Sequence, residues 1–343
     1  MDLGVLDYAL DPALIAQEPL EARDASRMMV VERATGSRTH ARIRDLAAWL
    51  RPGDVLVAND AEVMAARLHG SRPTGGAVEV LLVEPIDSHD TWRCIARGAG
   101  KIPAGEVIHF GTVLRGIWGE RTNDVYRSIR LECDGDLANA LEQVGELPLP
   151  PYIRRPNGPS ANDRTRYQTM FARSPGAIAA PTAGLHFTPA LMQSVLARGV
   201  IAATVTLIVG PATFLPVRTS LAAHAVPAER YVISAETAAA ITHARARGGR
   251  VIAVGTTTAR ALESVAAEDG VVGAGEGKTD LVIAPGHSFR AVDALLTNFH
   301  LPRSSLLALV AAFAGTELTL AAYREAVAAG YRFYSYGDAM LIS

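Results

Sequence analysis

The chain has only two cysteines, Cys94 and Cys133, in 343 residues. They stand apart, with no CxxC pair and no histidine at ligand spacing, which argues against a disulfide framework or a zinc site. Lysine is just as scarce. It occurs only at Lys101 and Lys278, so nearly all of the 33 basic side chains are arginine, the better fork for phosphates and carboxylates. Neither charge is in excess: 35 acidic residues leave a formal net charge of -2, so any contact with a polyanion has to be built locally. No apolar stretch reaches the ~18–20 residues a membrane helix needs. The N-terminus MDLGVLDYAL lacks a basic region followed by an apolar run. The cytoplasm is therefore the expected location, with no membrane partner.

What is present is an ordinary globular composition, 49% hydrophobic and 20% charged, with only 6% aromatic residues and length enough for about two domains. The texture changes along the chain. MMVVERATGSRTH reads as two short strands around a turn at Thr35–Gly36, and IRDLAAWLRPGDVLVAND as a short helix, a Pro-Gly turn and a strand ending at Asn59 and Asp60. From about Ala65 to Leu149, short β-rich runs are split by Gly, Pro, Asp and Asn, the pattern of a small antiparallel barrel, and LPLPPYIRRP closes the segment as an extended crossing. After Arg164 the pattern is α/β: TPALMQSVLARG helical, IAATVTLIVG a buried strand, AETAAAITHARARGG a helix stopped by Gly248 and Gly249, and RVIAVGTTTARALESVA a strand passing into a helix. The expected fold is mixed α+β: a discontinuous α/β main domain, 1–64 and 150–343, interrupted by a β-barrel domain at 65–149.

Four local patterns carry candidate chemistry. IAVGTTTAR brings Gly255, Thr256, Thr257 and Arg260 to the carboxyl end of a strand, where open α/β sheets bind ligands, although threonines there also serve as helix caps. APTAGLHFTP sets Thr182, His186 and Phe187 around Gly184, and small neighbours let a ligand approach the backbone. TNFHLPRSS offers Asn298 and His300, polar groups suited to a nucleobase, or to satisfying their own loop. Arg154, Arg155, Arg164, Arg166 and Arg173, interleaved with Tyr152, Tyr167 and Phe171, combine phosphate contact with stacking, or form a solvated face. VVGAGEGKTD is not a phosphate loop, because Val272 stands where the first glycine belongs. YSYGDAML reads as a docked terminus, with Tyr334 and Tyr336 structural first and site lining second.

The ordered series RDASR (Arg23 to Arg27), PGDVLVAND (Pro52 to Asp60), GGAVEVLL (Gly75 to Leu82), LPLPPYIRRP (Leu147 to Pro156), RYQTMFA (Arg166 to Ala172), AAPTAGLHFT (Ala179 to Thr188), TFLPVR (Thr213 to Arg218), GGRVIAVGTTTARALES (Gly248 to Ser264), TNFHLPRSSLL (Thr297 to Leu307) and YREAVAAGYRFYSYGDAMLI (Tyr323 to Ile342) resembles the S-adenosylmethionine:tRNA ribosyltransferase-isomerases of queuosine biosynthesis along nearly the whole chain. The resemblance implies an enzyme that moves the ribosyl group of S-adenosylmethionine onto the aminomethyl group of a 7-deazaguanine at the tRNA wobble position, giving epoxyqueuosine and releasing adenine and methionine. It also implies S-adenosylmethionine as cosubstrate, tRNA as partner, and no metal. His186, His300 and Asp60 are then the expected catalytic residues, and Asn59, Thr182, Phe187, Thr256, Thr257, Arg260 and Asn298 the expected cosubstrate contacts.

The chain departs from the family pattern at five positions: Ala61 and Glu62 replace a threonine-arginine pair, Ile208 and Pro227 each replace a histidine, and Lys278 replaces a tryptophan. A basic run is also reduced to GAGKIP around Lys101. These changes keep two alternatives open: cleavage or rearrangement of S-adenosylmethionine on a small molecule without tRNA, and non-catalytic binding of S-adenosylmethionine or tRNA.

Overall fold

A computed structural model describes residues 3–86, 90–98, 102–121, 125–210 and 227–343. The N-terminal part forms a hairpin of β1 (Arg27–Val31) and β2 (Arg38–Arg42), a 3-10 helix at Ile43–Trp49, then β3 (Val55–Asn59) and the short β4 (Ala61–Val63). Gly36 takes φ 71 in the hairpin turn, a left-handed conformation in which a side chain is strained.

Seven strands then follow in one antiparallel sheet: β5 (Arg67–Ser71), β6 (Ala77–Pro85), β7 (Thr91–Arg97), β8 (Val107–Phe110), β9 (Leu114–Arg121), β10 (Arg127–Cys133) and, after helix α1 (Leu137–Val144), the two-residue β11 (Gly145–Glu146). The order β5-β6-β7-β10-β9-β8 closes on itself where Ser71 of β5 pairs with His109 of β8, making a six-stranded barrel. Alternate residues fill it, including Leu68, Val80, Phe110, Trp118 and Ile129. Room for them depends on glycine: a Cβ at Gly70 would stand 2.6 Å from Phe110, and one at Gly116 2.5 Å from Ile129. Cys94 is buried in this core, and burial pushes its thiol up to about 12, so it behaves as a small hydrophobe.

The remainder is α/β. After helix α2 (Ala161–Arg166) and β12 (Ser174–Ala177), which pairs with β4, come α3 (Pro189–Ala197), β13 (Ile201–Leu207), β14 (Glu229–Ile233), α4 (Ala235–Ala246), β15 (Val251–Val254), α5 (Thr256–Val265), β16 (Gly275–Thr279), β17 (Ala294–Asn298), α6 (Ser305–Ala314), α7 (Thr316–Ala328) and β18 (Ala339–Ile342). The main sheet has nine strands in the order β16-β14-β13-β3-β15-β17-β18-β1-β2, with β13, β3, β15 and β17 mutually parallel at its centre. β3, β15 and β17 read as apolar runs because both faces are covered, whereas β13 is partly exposed at Ala202. Val55 and Val57 of β3 enter one core while Leu56 and Ala58 enter the other. The C-terminus is docked as expected, β18 lying between β17 and β1. The glycine-rich 272–280 run supplies the edge strand β16, paired to β14.

Candidate active site

The parallel strands β3, β15 and β17 all end on the same side of the sheet, at Asn59, at Gly255 before α5, and at Asn298. A cleft opens there, with about 590 Å³ of empty space including its solvent-open part. Its lining includes Thr182, Thr256, Thr257, Thr297, Asn298 and His300. Among the described residues, no charged side chain other than a titratable imidazole lies in that lining.

Asn298 is buried, and its Nδ2 is surrounded by acceptors: the Tyr334 carbonyl at 3.0 Å, the Ser335 carbonyl at 3.5 Å and His186 Nε2 at 3.3 Å. Turning the amide over would set its oxygen against two carbonyls, so the hydrogen-bond network fixes the orientation. Oδ1 is left buried without a partner among the described residues. His186 Nε2 accepts in this arrangement, which places the ring proton on Nδ1. Burial drives the His186 imidazole down to about 4, against opposing pulls from the Asp338 carboxylate and the Arg23 backbone, so the ring is neutral near pH 7. His186 does not line the cleft. It borders a small cavity behind it, shared with Arg23, Arg166 and Tyr336.

His300 does line the cleft, and burial lowers its imidazole to about 3. Its Nε2 and Thr297 Oγ1 are 2.9 Å apart, its amide approaches the Tyr323 hydroxyl at 3.1 Å, and its carbonyl accepts from Tyr8 at 2.5 Å. Thr256 and Thr257 open α5, whose first-turn amides have no helical acceptor and whose dipole sets partial positive charge at the cleft.

The other expected residues lie around the cleft rather than in its lining. Asn59 is fully engaged within the chain: Nδ2 donates to the Leu207 carbonyl at 3.0 Å and to Thr257 Oγ1 at 3.3 Å, and Oδ1 accepts the amides of Ala61 and Leu207, each at 3.0 Å. Asp60 accepts from Thr206 Oγ1 at 2.7 Å. Phe187 packs edge-on against Phe171 in the core, ring centroids 5.3 Å apart. Arg260, in α5, forms a buried ion pair with Glu229; burial lowers its guanidinium to about 10, still charged at neutral pH.

Sequence reasoning placed Tyr334 second as a site residue, and here it lines the cleft with Tyr152, their ring centroids 3.7 Å apart. Tyr334 adopts φ 73, a strained conformation for an aromatic residue that no local pattern announces. Tyr152 hydrogen-bonds Ser335; its signals in the sequence were its place in the proline-rich crossing and among the aromatics interleaved with the arginine group. Of the five arginines grouped with these aromatics, three are committed internally. Arg155 forks onto Asp163, Arg164 reaches the Gly145 carbonyl, and Arg166 holds the carbonyls of Leu20 and Glu21.

The model of the family described as queuosine biosynthesis protein matches residues 3–342. The chain belongs to this family. It is 52% identical over 347 residues to the S-adenosylmethionine:tRNA ribosyltransferase-isomerase of Anaeromyxobacter sp. (strain Fw109-5), covering 100% of this chain and 99% of that one. It is 50% identical to the enzyme of the same name from Citrifermentans bemidjiense, covering both chains entirely. Among solved structures it is similar to the S-adenosylmethionine tRNA ribosyltransferase of Thermotoga maritima, with a TM-score of 0.56, 37% identity, and coverage of 99% of this chain and 100% of that one.

The departures from the queuosine family's usual pattern fall away from the cleft lining. Ala61 packs beneath Ala179 and Val209, and Glu62 is half-buried in β4 opposite Pro175. Ile208, Pro227 and Lys278 gather in a separate apolar depression where the barrel meets the edge of the main sheet, beside Trp92 and Tyr126. Glu62 lines neither of these. Lys101 and the TFLPVR segment, 213–218, lie outside the described residues.

Proposed function

We propose that this chain is an S-adenosylmethionine:tRNA ribosyltransferase-isomerase. It transfers the ribosyl group of S-adenosylmethionine to 7-aminomethyl-7-deazaguanine at the tRNA wobble position and isomerises it to the epoxycyclopentanediol of epoxyqueuosine, releasing adenine and methionine. The observation that carries this reading is identity at 50–52% of positions, over the full length, with relatives bearing that name.

The groups lining the cleft suit such a cosubstrate. An orphaned Asn298 Oδ1 seeks a donor of the kind an amino or hydroxyl group supplies, and the Tyr152 and Tyr334 rings suit the neighbourhood of a sulfonium. The sulfonium acidifies the neighbouring 5′-carbon, so proton removal there needs no metal. Thr182, Thr256, Thr257 and Asn298 are the cosubstrate contacts in this reading, and the α5 N-terminus suits the methionyl carboxylate. His300, neutral and held by Thr297, contacts the ligand and offers a hydrogen bond to the departing purine. His186 is a positioning residue acting through Asn298, while Asn59 joins the ends of β3 and β13 to α5.

The test is incubation with S-adenosylmethionine, with and without tRNA carrying the aminomethyl-deazaguanine, following adenine and methionine by chromatography. Release that depends on that tRNA supports the reading. Release without tRNA, or none under either condition, would overturn it.

A further inference from the structure

We propose that the groove between barrel strands β5–β7 and the 149–159 crossing is the track by which the tRNA backbone reaches the cleft, with Arg97 and Arg154 as its phosphate contacts. This rests on the ribosyltransferase-isomerase reading and names the surface that would hold its tRNA.

A chain with net charge -2 has to concentrate positive potential where RNA lies. Among the described residues, the cleft carries no arginine or lysine in its lining. The apolar depression at the sheet edge has basic groups, but each already has a carboxylate partner: Arg93 and Lys278 share Glu84, and Arg230 sits on Glu276. The groove beside the barrel differs. It has about 1740 Å³ of empty space including its solvent-open part, and its lining holds four arginines, Arg67, Arg97, Arg154 and Arg155, against two carboxylates, Glu79 and Glu146.

The pairing within the groove singles out two of those arginines. Arg67 takes Glu79 at 3.4 Å, His69 takes Glu146 at 3.2 Å, and Arg155 takes Asp163 and Glu18, each at 2.9 Å. Arg97 stands directly across the β6–β7 ladder from Glu79, yet that carboxylate turns to Arg67. Arg97 and Arg154 are left exposed, with no carboxylate in ion-pair range among the described residues. An unpaired guanidinium meets a phosphate without first giving up a protein partner, and its planar fork matches two phosphate oxygens.

The groove also leads to the right place. Pro150 borders both groove and cleft, and Tyr152 lines the cleft two positions before Arg154 lines the groove. The backbone that displays Arg154 is pinned on both sides: its amide donates to Gln17 Oε1 at 2.9 Å, and the next residue, Arg155, reaches the Gln17 carbonyl at 3.0 Å. Prolines at 150, 151, 156 and 159 preset the crossing, so little ordering remains to be done when RNA binds.

The experiment uses the full chain and compares wild type with Arg97→Ala, Arg154→Ala and the double variant. Arg44→Ala, an exposed arginine outside the groove, serves as control. Affinity for the tRNA substrate is measured across salt concentrations, affinity for S-adenosylmethionine by calorimetry, and turnover by adenine release. The double variant is expected to bind tRNA about tenfold more weakly, with its salt slope reduced by about 1 to 2, a raised KM for tRNA, and unchanged kcat and cosubstrate affinity. Arg44→Ala should match wild type. A double variant with wild-type tRNA affinity and salt slope, measured alongside a wild type that turns tRNA over, overturns the groove assignment alone. A wild type whose tRNA affinity depends on Arg97 and Arg154 but which releases no adenine keeps the groove and overturns the activity; a wild type that binds no tRNA overturns both.

Discussion

Asn298 Nδ2 lies 3.3 Å from His186 Nε2, joining residues 112 positions apart and holding the Asn298 amide with its oxygen buried and unpaired among the described residues. In the proposed reaction His186 is a positioning residue that acts through Asn298.

His186→Ala and Asn298→Ala should therefore damage the same interaction. Each is expected to lower kcat/KM for S-adenosylmethionine by about 10²-fold, the scale of a misplaced contact at a reacting site. The double variant should be little worse than either single one. Initial rates of adenine release check this, and effects that multiply in the double variant would show that the two side chains act separately.

The two buried imidazoles make a pH prediction. In the folded chain burial holds His186 at about 4 and His300 at about 3, below the ordinary 6.5 they regain on unfolding. Between those values the unfolded chain binds more protons, so stability rises with pH there. This contribution is complete above about pH 6.5 and is lost as pH falls toward 4 and then 3, by at most about 1.4 kcal/mol per pH unit for each ring. Urea unfolding at pH 7, 6 and 5 measures it, and His300→Gln should flatten the slope. A profile already flat between pH 6.5 and 5 in wild type would contradict the burial.

Asn59 predicts a stability effect. Asn59→Leu keeps the volume but strands the amides of Ala61 and Leu207 and the Leu207 carbonyl, and should cost about 2–4 kcal/mol. The denaturation midpoint reports it. A loss below about 0.5 kcal/mol would mean water replaces these bonds.

Arg260→Ala isolates the Glu229 carboxylate, which is buried and already accepts the Gly210 amide at 2.7 Å. Removing one partner of a buried pair is expected to destabilise by about 3–5 kcal/mol. Replacing both residues with apolar ones, Arg260→Met with Glu229→Leu, should recover part of that loss, as equilibrium unfolding of the three variants would show.

Much of this fold is legible along the chain because its signals are local. Alternation and turn residues between Ala65 and Leu149 announce a small barrel, and the apolar strand running into Gly255-Thr256-Thr257 announces a strand end with a helix behind it. The cleft was legible in part. Thr182, Thr256, Thr257, Asn298 and His300 come together in its lining, whereas Phe187, from the same small-residue turn as Thr182, turns into the core. Residues five positions apart in that turn face different ways, and composition carries no sign of which way each faces.

The amino-acid sequence by itself determined the family, the order of strands and helices, and the absence of a global positive field. Only the tertiary structure decided which polar groups are satisfied. Whether Asn298 keeps a free oxygen, whether Arg154 or its neighbour Arg155 finds a carboxylate, and whether Tyr334 is forced to positive φ all depend on partners brought close by sheet register and barrel closure. Those distances are global properties of the folded chain, while hydrophobic periodicity and turn chemistry act over only a few residues.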